Sequence, residues 1–200
     1  MAPPPPAPDP AILDRNLKSL RTTDPDLADR LTHLDISPFN PTPALTRDGH
    51  LSLRYTHPGG QTQWLGRSSI PAARAAVLME QFDPGQANVL LPAFGEGTEA
   101  ETLLRKLEPH RAVFIWDPDL LTIRLVLALH DFAAPLAACR LVILQCSIQA
   151  LGSTLSAWLA GHPSIQCPNR LMMWPWQTPV ELSECRSAVE AAWHQSTAAR

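Results

Sequence analysis

Three short, uninterrupted apolar runs constrain this chain more than any other feature. They are Val89-Leu90-Leu91, Ala112-Val113-Phe114-Ile115-Trp116 and Leu141-Val142-Ile143-Leu144. Between and after them lie helical stretches: Glu99 to Leu107, Leu120 to Leu129, and a segment marked by Leu151, Leu155, Trp158 and Leu159. Strands that are apolar on both faces, alternating with helices, are the signature of a parallel sheet covered on both sides. The pattern predicts an α/β fold: a Rossmann-like parallel sheet flanked by helices, with these three runs as adjacent parallel strands. Leu171 to Trp174 and a helix from Pro179 to about His194 are expected to add a strand and a cover, so that this domain spans residues 88–200.

The residues before it read differently. Residues 1–10 are nearly all proline and alanine and are expected to form a disordered, polyproline-like tail. Residues 11–45 read as an N-terminal helical arm. Ile12, Leu13, Leu17 and Leu20 recur at helical spacing, and Asp24-Pro25 restarts a helix carrying Leu27, Leu31 and Leu34. Pro38, Pro41 and Pro43 then break the chain. In residues 46–87 the period changes. Leu51, Leu53 and Tyr55 alternate, His57-Pro58-Gly59-Gly60 supplies a turn, and Gln61 to Leu65 returns as the partner strand. This predicts a β-hairpin preceding the parallel sheet. A helix follows, with Ser69 as its expected cap and Pro71 in its first turn.

Charge and cysteine usage exclude several classes of function. A formal net charge of −3, with arginines scattered rather than striped, argues against nucleic-acid binding. Cys139, Cys146, Cys167 and Cys185 form no CxxC pair, so no metal site is expected and the thiols read as small apolar side chains. The first residues lack the charged and apolar regions of a secretion signal. No apolar run approaches the roughly 20 residues that cross a bilayer. A cytoplasmic protein without membrane association is the expectation.

The informative constellation is the loop Phe94-Gly95-Glu96-Gly97-Thr98 between the first apolar run and its helix, followed by Asp117-Pro118-Asp119 after the second run. Glycines let backbone approach a ligand at a helix N-terminus, where free amides and the helix dipole favour anionic or polar groups. A carboxylate about 20 residues further on binds a ribose hydroxyl in such folds; Asp117 lies 22 residues after Gly95. Gly95, Glu96, Gly97, Thr98, Asp117 and Asp119 are therefore the candidate ligand-binding residues. Ala100 stands where the full dinucleotide fingerprint has its third glycine, and Glu96 opposes a pyrophosphate. The plainer possibility is that the glycines make a tight turn and Asp117 caps the next helix.

Other features carry less. Trp174-Pro175-Trp176 could stack on a sugar or base, or pack beneath a loop. His130 precedes Asp131 at a helix end, where the dipole alone stabilises a histidine. His110 and His162 are expected to face solvent. No Ser/His/Asp order or HExxH motif stands out, so catalytic residues remain unassigned.

Several of these segments, taken in order, resemble a known family. The stretch Trp64-Leu65-Gly66-Arg67-Ser68-Ser69-Ile70-Pro71, the run from Val89 through Leu144, and the opening Asn16-Leu17-Lys18-Ser19-Leu20 are similar to the N-terminal region of the motility accessory factor proteins. These are flagellin glycosyltransferase-like bacterial proteins, grouped with 6-hydroxymethylpterin diphosphokinase-like domains. The resemblance rests on Ser68 to Pro71, Gly95 to Gly97, Asp117-Pro118 and Asp131, and spans roughly Asn16 to Trp174. It implies a Rossmann-like, nucleotide-binding-type module linked to flagellin or surface-protein glycosylation. A glycosyltransferase domain or a flagellin-like protein would be its partner. In the longer family members sugar transfer is assigned to a following central domain, for which 200 residues leave no room, so this chain is expected to lack a complete transfer site.

The cofactor is not named by the residues. A nucleotide sugar and S-adenosylmethionine are the two candidates. The alternatives to the glycosylation module are an S-adenosylmethionine-dependent methyltransferase and a non-catalytic interaction domain that docks through its proline arm and helical pair.

Overall fold

The computed structural model describes residues 5–57, 59–174 and 177–198. Two helices open the chain, α1 (Pro10–Thr23) and α2 (Pro25–His33). Each starts with proline in its first turn and an aspartate cap: Asp9 accepts the Ala11 amide at 3.0 Å, and Asp24 accepts the Leu27 amide at 2.9 Å. Pro10 thus belongs to the first helix rather than to the tail.

A three-stranded antiparallel sheet follows, β1 (Thr42–Leu45), β2 (Leu51–Thr56) and β3 (Thr62–Trp64), in the order β1-β2-β3. The expected hairpin is β2 and β3. The prolines taken as breaks hide a third strand, because Pro43 lies on an edge, where a missing amide costs no ladder bond. Next is α3 (Pro71–Gln81). Its cap is not Ser69. Asp48, between β1 and β2, accepts the Ala72 and Ala73 amides at 2.9 and 3.1 Å.

The rest is the predicted βα alternation: β4 (Val89–Leu91), α4 (Thr98–Lys106), β5 (Val113–Trp116), α5 (Leu120–Leu129), α6 (Ala133–Ala137), β6 (Leu141–Leu144), α7 (Leu151–Gly161), β7 (Arg170–Leu171) and α8 (Pro179–Ala198). The four strands are parallel, in the order β6-β5-β4-β7. Alternate side chains serve opposite faces. Val89, Leu91, Val113, Ile115, Leu141 and Ile143 join a core with α1, α2, α4, α5 and the antiparallel sheet. Leu90, Phe114, Trp116, Val142 and Leu144 pack against α7 and α8. Both faces are buried, which explains the continuous apolar runs. No helix among the described residues is long and apolar enough to cross a membrane.

The strand order reverses between β4 and β7. Open α/β sheets bind ligands outside the carboxyl ends of their strands at such a switch point. The loop after β4 holds Gly95 and Gly97, and the loop after β5 holds Asp117.

Candidate functional site

A cavity of about 510 Å³ opens at the carboxyl ends of β4 and β5 beneath the antiparallel sheet. Its floor is Pro92, Ala93 and Gly95; one wall is Trp116, Asp117, Asp119 and Thr122. Tyr55, Gln63 and Arg67 form the roof, and Gln177 and Glu181 close it from the start of α8. The volume falls within the roughly 300–1,000 Å³ of small-molecule sites.

The candidate residues divide into two groups. Gly95, Asp117 and Asp119 line the cavity. Asp117, 5% exposed, holds the loops together: its Oδ2 accepts the Phe94 amide and its Oδ1 the Asp119 amide, both at 3.0 Å. Burial pushes its carboxyl up to about 6, against those two bonds, which favour the charged form. Asp119, not Asp117, caps α5, accepting from the Leu121 amide at 3.0 Å and the Thr122 hydroxyl at 2.8 Å. Every oxygen of the two carboxylates therefore has a protein partner, with further lone pairs left toward the cavity.

Glu96, Gly97 and Thr98 are not part of that lining. Glu96 is 1% exposed and bonds the Thr98 hydroxyl. Its Oε1 lies 3.5 Å from Nε2 of His130, whose Nδ1 lies 3.4 Å from Glu101. Glu99 is also buried, 2.6 Å from Arg74, which donates to the Gly66 carbonyl at 2.5 Å and lies over the Trp174 ring at 5.0 Å. Burial raises the Glu99 carboxyl in spite of Arg74. A buried charged cluster beneath the loop is thus where the sequence suggested an anion-binding turn. Arg74 and His130 are its cations. Burial alone would lower the pKa of His130, but Glu101 and Glu96 outweigh burial and raise it to about 9.

Close packing accounts for the glycines. Gly95 and Gly97 have φ of 66° and 105°. A Cβ on Gly95 would lie 2.8 Å from the Trp174 ring, and one on Gly97 would lie 2.7 Å from the His130 ring. From above, Gly66 (φ 65°) presses on the backbone of Gly95 and Glu96. The start of α4, with Glu99 in its first turn, is closed by protein. Trp174 is buried, as the packing alternative expected, and Pro175 and Trp176 lie outside the described residues. His110 is exposed, whereas His162 is half-buried and stacks on Trp158 at 3.9 Å. Asp131 pairs with Arg15 at 2.9 Å on the surface, away from the cavity lining. Cys167 and Cys185 are buried, Cys139 and Cys146 half-buried, all as free thiols.

Sequence reasoning missed Tyr55, Gln63, Arg67 and Gln177 as cavity residues. Arg67 takes a left-handed φ of 55°, rare for a side chain of that size, but that strain shows only in the fold.

The chain matches no protein-family model and no curated protein sequence. Among solved structures it is similar to the MAf glycosyltransferase from Magnetospirillum magneticum AMB-1, with a TM-score of 0.65 and 13% sequence identity over 92% of this chain and 35% of that one. The chain spans about a third of the length of that protein, and what the two share is the fold.

Proposed function

We propose that this chain is a ligand-holding module of a surface-protein glycosylation system, accepting the hydroxyl-rich part of a nucleotide sugar in the cavity beneath the antiparallel sheet. The observation that carries this reading is the polar cavity at the switch point, walled by Asp117, Asp119, Gln63 and Gln177. Carboxylates and amides of this kind accept and donate to sugar hydroxyls. The fold shared with a glycosyltransferase supports the link to glycosylation.

The closed start of α4 disfavours a dinucleotide, since a pyrophosphate would have to displace Trp174 and meet Glu96 and Glu99. Phosphates of a nucleotide sugar would instead sit at the roof beside Arg67. With their oxygens already bonded to protein, Asp117 and Asp119 hold rather than react, so transfer falls to a partner domain. One observation favours S-adenosylmethionine as a second reading: Asp117, Asp119 and Glu181 together suit a cationic sulfonium.

Isothermal titration with uridine- and cytidine-diphosphate or -monophosphate sugars, S-adenosylmethionine and NAD separates these readings. Binding of a nucleotide sugar but not NAD is expected. S-adenosylmethionine binding alone would transfer the assignment to the methyltransferase class, and a flat response to all would remove the ligand-holding reading.

A further inference from the structure

Among the described residues the parallel sheet has an open edge at β7, which pairs there with β4 alone. The Arg170 and Met172 amides point inward to the Asn88 and Leu90 carbonyls, so by strand alternation the N–H and C=O of Leu171 point outward. A groove of about 590 Å³ runs beside this edge between the end of α3 and the last turns of α8.

Apolar exposure is concentrated on the elements bordering it. Of the six large exposed hydrophobics among the described residues, Ile70 and Val77 belong to α3 and its cap, Met173 follows β7, and Val180 and Trp193 lie on α8. Of these, Trp193 lines the groove itself. An open strand edge with apolar borders is a pairing surface.

The charges in the groove say what it pairs with. Arg170 and Arg186 line it together with Asp83 and Glu190. Neither arginine side chain nor the Glu190 carboxylate makes a hydrogen bond or ion pair among the described residues. Two unpaired positive and two negative groups in one groove would repel part of any ligand of a single sign, but they complement a copy of themselves. That self-complementarity is what a two-fold interface requires.

We propose that β7 pairs antiparallel with β7 of a second copy, about a two-fold axis at Leu171, joining the two parallel sheets into one of eight strands. The register follows. Residues two positions either side of the axis face each other, so Met173, which shares the α8 face with Leu171, enters the groove beside Asn169 of the partner subunit. The exposed methionine and the unfilled groove then account for each other. This inference does not depend on the ligand assigned to the other cavity.

Sedimentation equilibrium of the full chain tests it, with a species of twice 21.9 kDa expected. Met173→Asp should raise the dimer dissociation constant at least tenfold and leave the circular dichroism of the folded chain unchanged, since Met173 is 57% exposed. Mixing Asn169→Cys with Met173→Cys under mild oxidation should give a cross-linked heterodimer that the unsubstituted chain does not form. A 21.9 kDa species at every loading concentration would assign the edge to a different partner and overturn the proposal. A Met173→Asp dimer as tight as the parent would also overturn it.

Discussion

The side-chain amide of Asn16 donates to the backbone carbonyl of His130 at 2.7 Å, across 114 residues of chain. The same amide donates to Leu127 at 2.7 Å, and its oxygen accepts the Phe132 amide at 2.8 Å. One buried asparagine thereby caps the end of α5, fixes the turn to α6, and anchors α1 to both. It also fixes the backbone from which His130 reaches the buried glutamates.

Asn16→Ala leaves the Phe132 amide and two carbonyls buried without this partner. Each unsatisfied group costs roughly 1–3 kcal/mol, so a total loss of about 3 kcal/mol is expected. Urea denaturation measures it, and a loss below about 1 kcal/mol would show that water replaces the side chain.

Stability should fall as pH rises, in two windows. His130 has a folded pKa raised to about 9, so its contribution is complete below the ordinary histidine value of 6.5 and is lost as pH rises through 9. Asp117 has a folded pKa raised from 3.8 to about 6, so its ionisation opposes folding as pH rises across that interval. Thermal melts from pH 4 to 10 should show both declines. His130→Gln should flatten only the upper one; an unchanged upper decline would remove His130 as its source.

Asp117→Ala removes the acceptor of two amides while relieving a buried charge. A net destabilisation of about 1–3 kcal/mol is expected at pH 7, together with loss of nucleotide-sugar binding. Calorimetry at a temperature where the variant is folded separates these effects, because retained binding would mean that Asp117 serves the fold alone.

Gly66→Ala should be the most damaging of the glycine substitutions. The added carbon meets the backbone of Gly95 and Glu96, which cannot rotate away, at a left-handed φ of 65°. A loss of about 3 kcal/mol is expected from clash and backbone strain together. Gly95→Ala meets only the Trp174 ring and should cost less. Chemical denaturation of the pair gives the order, and the reverse order would place the rigid contact at Trp174.

Arg67→Ala should weaken binding of a nucleotide sugar about tenfold and leave binding of the free sugar unchanged. The guanidinium is placed to meet phosphate at the cavity roof. Titration of both ligands checks this, and equal weakening would put Arg67 against the sugar.

The parallel sheet was legible because β4, β5 and β6 are buried on both faces and their composition records it. β7 contributes two residues and leaves almost no periodic signal. β1 was hidden by Pro43, which reads as a break unless its place on an edge is known. At the site, Asp117 and Gly95 were found from spacing along the chain. The roof was not, because Gln63 and Arg67 reach the cavity through the packing of one sheet over the other. Glu96 was read as a charge facing a ligand, since the cation that balances it comes from His130, at the far end of α5.

The contacts of Gly66, Gly95 and Gly97 bear on how such a loop could be re-engineered. Supplying the missing third glycine at Ala100 would not create a dinucleotide site, because the space a pyrophosphate needs is taken by Trp174, His130 and the turn at Gly66. A design aimed at that chemistry has to begin in the segments that follow β7 and β3, by shortening Trp174 and lifting the turn at Gly66. Residues in the loop itself would come last.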